Sequence, residues 1–223
     1  MSKGGGFSVK SEKKTSTEVL YAFDAGQTEN DTVVVGIDEA GRGPLAGPVV
    51  AAAVVLDHSA PIDGINDSKK LSAGKRDRLF EEIISRSVGW ASGSASVREI
   101  DRVNILQATF LAMWRAVCSL KVKWNVLLVD GNRMIPQFSS GCQRTVVGGD
   151  AVSASIAAAS ICAKVIRDRI MSECQEDYPQ YCFGKHKGYG TAFHRRCIQQ
   201  YGLSPLHRRT FCSHLLMQTT LDL

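Results

Sequence analysis

Four carboxylates follow apolar runs, where a charge needs something to compensate it. Val33-Val-Val-Gly-Ile-Asp-Glu-Ala-Gly-Arg-Gly-Pro44 carries an apolar run into Asp38 and Glu39 and then into a Gly-Arg-Gly loop. Val126-Leu-Leu-Val129 runs into Asp130, and Arg144-Thr-Val-Val147 is followed by Gly148-Gly149-Asp150. Charge at the end of a buried strand is tolerated when a metal or a partner compensates it. Hard oxygen ligands converging from several strand ends suit a pair of divalent cations about 4 Å apart, one activating water and the other stabilising a leaving oxygen. The glycines flanking Arg42 let a backbone approach something bulky, so the loop fits beside a phosphate chain. A lone acid in such a place is more often a turn residue, and Asp150 could simply cap the helix after it. Three acid-terminated apolar strands make that coincidence a poor explanation.

The elements that must position these acids follow from periodicity. Val33, Val34, Val35 and Ile37 are β-branched and predict a buried strand reaching Asp38. Pro48 to Leu56 predicts a second buried strand, returning antiparallel over a loop with Gly43, Pro44 and Gly47. Ser72 can cap a helix through about Ser85. Val88 to Val97 reads as a small-residue strand, and Ile105 to Leu120 has the helical period. Strands over Val126–Val129 and Arg144–Val147 precede a long Ala- and Ile-rich helix over Ala151–Glu173, small and apolar on nearly every side. The alternation predicts an α/β domain with a central mixed sheet over residues 32–223. Residues 1–31, rich in Gly, Ser, Thr and Lys, are expected to form a flexible leader with a short amphipathic piece around Val19–Phe23.

Composition narrows the class. At 223 residues, 44% hydrophobic and 22% charged, the chain is expected to be one soluble domain. No apolar run reaches the roughly 18 residues of a membrane span, and Met1-Ser-Lys-Gly-Gly-Gly lacks a signal-peptide core, so the cytoplasm is expected and a membrane is not. Seven cysteines include no Cys-x-x-Cys pair, which argues against a structural zinc and a disulfide framework. His186, His194 and His207 match no compact zinc spacing either. The net charge of +5 is uneven: from Lys164 to His214, nine Lys and Arg accompany four acids, which suits either a polyanion or a solvated face.

Asp38-Glu-Ala-Gly-Arg-Gly-Pro-Leu-Ala-Gly-Pro48 resembles the signature of the bacterial ribonuclease HII family, in the type 2 ribonuclease H group. Further matches follow in order: Asn66-Asp-Ser-Lys-Lys-Leu71, Val129-Asp-Gly-Asn132, Gly148-Gly-Asp150, Ser155 to Ile161, Ala163-Lys-Val-Ile-Arg-Asp-Arg169 and His186-Lys-Gly-Tyr-Gly-Thr191. The resemblance implies a ribonuclease H-like α/β fold with a helical C-terminal part. It implies endonucleolytic hydrolysis of RNA paired with DNA, and cleavage 5′ of single ribonucleotides in duplex DNA, leaving 3′-hydroxyl and 5′-phosphate ends. It implies Mg²⁺ or Mn²⁺, two per site, a nucleic-acid substrate and a monomer.

By the same resemblance, the catalytic and metal-binding acids are Asp38, Glu39, Asp130 and Asp150, with Asp168 as a possible additional acid. Substrate binding falls to Gly41, Arg42, Gly43, Ser68, Lys69, Lys70, Lys164, Arg167 and Tyr189. The Gly41-Arg42-Gly43 backbone resembles the family's reader of the ribose 2′-hydroxyl, the group that distinguishes RNA from DNA. Tyr189 resembles an aromatic packing on the deoxyribose beyond the junction, although a residue between two glycines is equally a turn aromatic on the core. Ser68, Lys69 and Lys70 correspond to phosphate contacts, and their composition equally suits an exposed loop.

Other readings stay open at this level. The related ribonuclease HIII type shares the domain, prefers hybrids and usually carries an N-terminal substrate-binding domain, for which residues 1–31 are too short. A non-catalytic nucleic-acid binder gains nothing from carboxylate-ended strands, which repel phosphate. A small-molecule enzyme is disfavoured by the lack of a Walker or dinucleotide-type loop.

Overall fold

The computed structural model describes residues 16–27 and 32–219. In chain order the elements are α1 (Ser16–Ala25), β1 (Val34–Ala40), β2 (Val49–Val55), α2 (Ala73–Arg86), β3 (Gly89–Ala95), α3 (Val97–Cys118), β4 (Val126–Asp130), β5 (Gln143–Val146), α4 (Ala154–Asp177), α5 (Phe183–His186), α6 (Ala192–Tyr201) and α7 (Arg209–Thr219). The five strands form one mixed sheet in the order β3-β2-β1-β4-β5. β1 pairs antiparallel with β2 and parallel with β4, which pairs parallel with β5. This is the expected α/β fold with a mixed sheet between helices.

Helices cover both faces. α3 lies on one, where Val35, Ile37, Leu127 and Val129 meet Phe110, Met113 and Val117. α4 lies on the other, with α1 and α2 around it. Its run of Ala157, Ala158, Ala159, Ser160 and Ala163 is wholly buried, because small side chains bring the helix close to the sheet. Contact is tightest at Gly36, where an added Cβ would sit 2.1 Å from the Ser155 backbone. Any side chain there would push α4 off β1. The C-terminal part is helical, as expected.

The boundaries differ from expectation at instructive places. Ser16–Ala25, expected within a flexible leader, is a helix with Leu20 and Tyr21 in the core. Asp24 anchors it: fully buried, it accepts from the Ser153 hydroxyl and from the Ser155 amide at 2.8 Å. The remaining leader positions, 1–15 and 28–31, lie outside the described residues. α3 begins eight residues before the predicted Ile105, on a capping box in which Ser96 and Glu99 satisfy each other's backbone amides. It is broken at Asn104 (φ 68°), whose side chain accepts from Leu106 and Gln107 and so restarts the helix where the periodicity begins. α4 starts at Ala154 rather than Ala151 and is capped by Ser153, so Asp150 is not its cap.

Candidate active site

The sheet brings the acids together by register. Ile37 pairs with Val129 across the parallel β1–β4 ladder, so Asp38 and Asp130 follow on neighbouring strands. Asp130 pairs with Val146 on β5, and the chain then turns through Gly148 into Asp150. The turn is tied back by the Gly149 amide, which donates to Asp130 Oδ1 at 2.7 Å. Asp38, Glu39 and Asp130 line one cleft of about 300 Å³ with Gly41, Arg42, Gly43, Ser68, Lys69, Lys164 and Tyr189. Asp150 is joined to it by Lys69, whose Nζ lies 2.9 Å from Asp150 Oδ2.

The electrostatics of this cleft are unfavourable without a cation. Burial pushes the Asp38 carboxyl well above the usual range, and the nearby Glu39 and Asp130 charges push it further. Burial also raises Glu39, against the pull of Arg42, whose Nη1 lies 3.3 Å from Glu39 Oε1. Asp130 is raised by burial and by Asp150, against the Gly149 hydrogen bond. Such raised carboxyls mark positions where charge is held against solvation. No group of three or more His, Cys, Asp or Glu side chains is drawn into ligating geometry among the described residues. Mutual repulsion opposes closer approach, and Lys69 holds Asp150. The donors are all carboxylate oxygens, which fits Mg²⁺ or Mn²⁺ rather than a thiolate- or imidazole-seeking metal.

The other expected residues divide. Gly41 has φ 101° and opens the loop carrying exposed Arg42 and Gly43. Tyr189 is 43% exposed on the cleft wall, not in the core, with Lys164 Nζ 5.8 Å from its ring centre. Ser68 is buried, its hydroxyl 2.9 Å from that of Ser160, while Lys70 is exposed and does not line the cleft. Arg167 corrects the expectation of a substrate contact. It is buried, with its guanidinium spent on the carbonyls of Ala46, Pro48 and Lys187. Asp168 pairs with Lys164 at 2.7 Å and lines a separate groove with Arg76, Arg169 and Lys187, so it stands apart from the four acids.

Sequence reasoning missed Arg208. It is fully buried and donates to the carbonyls of Gly41, Arg42 and Gly47, holding the loop beside the acids. It also missed a histidine chain: His207 Nε2 lies 3.0 Å from His194 Nε2, and His194 Nδ1 lies 2.9 Å from the Tyr189 carbonyl. A His beside Arg208-Arg209 has no sequence signal separating it from a surface basic run.

A mixed sheet flanked by helices, with acids at the ends of its central strands, defines a ribonuclease H-like fold. The ribonuclease HII family profile matches residues 35–214. The chain is 57% identical over 181 residues to ribonuclease HII 1 of Methylibium petroleiphilum, covering 80% of this chain and 89% of that one. Among solved structures, ribonuclease H2 of Pyrococcus horikoshii OT3 superposes with a TM-score of 0.69 at 28% identity, over 85% of this chain and 99% of that one. Bst-RNase HIII in complex with Mn²⁺ gives a TM-score of 0.71 at 17% identity, over 96% and 77%, a likeness of fold. The chain belongs to the ribonuclease HII family. It is a ribonuclease H enzyme, of a family that cleaves the RNA of RNA/DNA hybrids with a divalent metal. Among the described residues no helix is long and apolar enough to cross a membrane.

Proposed function

We propose that the enzyme hydrolyses the phosphodiester 5′ of a ribonucleotide, both in RNA/DNA hybrids and at single ribonucleotides embedded in duplex DNA. The observation that carries this reading is the meeting of Asp38, Glu39, Asp130 and, through Lys69, Asp150 in a cleft that also holds the Gly41–Gly43 backbone and Tyr189. Water adds to phosphorus, the 3′-oxygen of the preceding nucleotide leaves and takes up a proton, and the products carry 3′-hydroxyl and 5′-phosphate ends. Asp38, Glu39, Asp130 and Asp150 would hold Mg²⁺ or Mn²⁺, two ions per site. Bound there, the ions would supply an activated water and stabilise the departing oxygen.

The protein's own groups select and orient. The Gly41–Gly43 backbone meets the 2′-hydroxyl, a donor and acceptor absent from DNA. The exposed Tyr189 ring packs on the sugar that follows, where a second 2′-hydroxyl would crowd it, favouring RNA followed by DNA. Lys69 and Lys164 neutralise flanking phosphates, with Lys70 reaching the strand further out, and Ser68 anchors their turn to α4 through Ser160. Residues 32–223, with α1 packed on them, act as one catalytic unit, monomeric and cytoplasmic.

The test is product mapping on a duplex with one embedded ribonucleotide, in Mg²⁺ and then in EDTA. A single cut 5′ of the ribonucleotide, lost in EDTA and in Asp38→Asn or Asp130→Asn, is expected. Metal-dependent cutting retained by both variants would remove the assignment, and cutting confined to long hybrids would favour the ribonuclease HIII preference.

A further inference from the structure

Among the described residues Arg208 is a cation with no counter-ion in contact. It is 0% exposed, and among the described residues no carboxylate is ion-paired to it. Nε and Nη2 donate to the Gly47 carbonyl at 2.9 and 2.7 Å, Nη1 to the Arg42 carbonyl at 3.0 Å, and Nη2 to the Gly41 carbonyl at 2.6 Å. Burial pushes its pKa down to about 9, so the site holds the charge at a cost. What that cost secures is the direction of three carbonyls.

A trans peptide unit is planar, with its C=O and N–H pointing to opposite sides. The Gly41 carbonyl shares its unit with the Arg42 amide, and the Arg42 carbonyl shares its unit with the Gly43 amide. Drawing both carbonyls inward onto one guanidinium therefore turns the amides of Arg42 and Gly43 outward. Among the described residues none accepts a hydrogen bond from either amide. Arg42 and Gly43 line the cleft, and a Cβ built on Gly43 would meet no atom within 4 Å. The outward side is open for a ligand oxygen.

We infer that Arg208 is a specificity-determining positioning residue: by fixing the Gly41 and Arg42 carbonyls inward, it presents the Arg42 and Gly43 amides as paired donors to a ribose 2′-hydroxyl oxygen. This rests on the proposed reading of the loop as the ribose reader. A deoxyribose would leave two preorganised donors unpaired, and a site built to bond a hydroxyl discriminates most strongly against the analogue lacking it. Arg208 touches no substrate and acts only through the backbone. Lysine cannot replace it, because a point charge on a flexible stem does not fork across three carbonyls.

The experiment compares Arg208→Lys and Arg208→Gln, each in an Asp130→Asn background that prevents cleavage, after thermal melts confirm folding. Fluorescence anisotropy at one salt concentration gives Kd for a duplex with a single ribonucleotide and for the same duplex in all-DNA form. The preference for the ribonucleotide duplex should fall roughly tenfold in both variants, the worth of one or two hydrogen bonds, with all-DNA affinity unchanged. An unchanged preference in a folded variant overturns the inference. So does a parallel loss of both affinities, or failure of both variants to fold, which would make Arg208 a stability residue. If the Asp130→Asn protein with Arg208 intact shows no preference, the loop is not the ribose reader and the inference falls with that reading. If that protein shows preference and Arg208→Lys keeps it, the inference alone falls.

Discussion

Replacing Asp38 by Asn should stabilise the metal-free protein while abolishing cleavage. Asp38 is 4% exposed, and its carboxylate accepts the Glu39 amide at 2.6 Å. No cation pairs with it among the described residues, and Glu39 and Asp130 press like charge on it. An acid whose folded pKa is raised contributes stability below its unfolded value and loses that contribution as pH rises through the folded value. At pH 8 the unfolded carboxyl has lost its proton, and folding must either bury that charge or recapture the proton, so Asp38 works against the fold. Asn keeps the shape and can still accept the Glu39 amide, but removes the charge. Relief of one buried, poorly compensated charge should yield roughly 1–2 kcal/mol. In a domain of this size that raises Tm by about 3–6 °C. The assay is scanning calorimetry in EDTA at pH 8 and again at pH 5, where the gap should narrow because recapturing the proton on folding costs less at lower pH. Mn²⁺ should raise the Tm of the native protein more than that of the variant, since only the native protein keeps the full ligand set. An equal or lower Tm for Asp38→Asn at pH 8, or a gap indifferent to pH, would refute the electrostatic account of the cleft.

Three further outcomes are expected. His194 and His207 are held down to about 4 by burial, so their neutral forms support the fold above the unfolded value near 6.5 and that support drains as pH falls towards 4. The loss is on the order of 3 kcal/mol for the hydrogen-bonded pair, and urea midpoints between pH 7 and 4 should fall less steeply in a His194→Gln/His207→Gln double variant. Asp24→Ala orphans the Ser153 hydroxyl and the Ser155 amide at the start of α4, and should cost about 2 kcal/mol in urea unfolding; an unchanged midpoint would mean α1 does not anchor α4. Tyr189→Ala should raise KM for a single-ribonucleotide duplex about tenfold while changing that for a long hybrid less; equal changes would detach Tyr189 from the junction.

The candidate acids stood out because a charge after a run of β-branched residues is a local contradiction that a turn, a partner or a site must resolve. Val33–Ile37 and Val126–Val129 are pure strand signals, and Asp38 and Asp130 end them. Convergence was not legible, since it depends on the β1–β4 register, which no single segment encodes. Arg167 and Arg208 were opaque for a different reason. An arginine in a basic stretch reads as solvated or as a phosphate contact, and its use of backbone carbonyls leaves no partner residue to recognise. Asp24 was hidden in a Gly- and Lys-rich leader, where one acid carries no periodicity. The Asn104 break shows the limit of pattern: the period starts at Ile105, and only the geometry shows a capped turn of helix before it.

We propose that acids distant in the chain meet to hold divalent cations beside the Gly41–Gly43 loop. Anomalous diffraction from crystals soaked in Mn²⁺ tests it directly. The account predicts density between Asp38, Glu39 and Asp130, with a second position reached by Asp150 once Lys69 has moved aside. Mn²⁺ found only elsewhere, with these carboxylates turned away from one another, would contradict it.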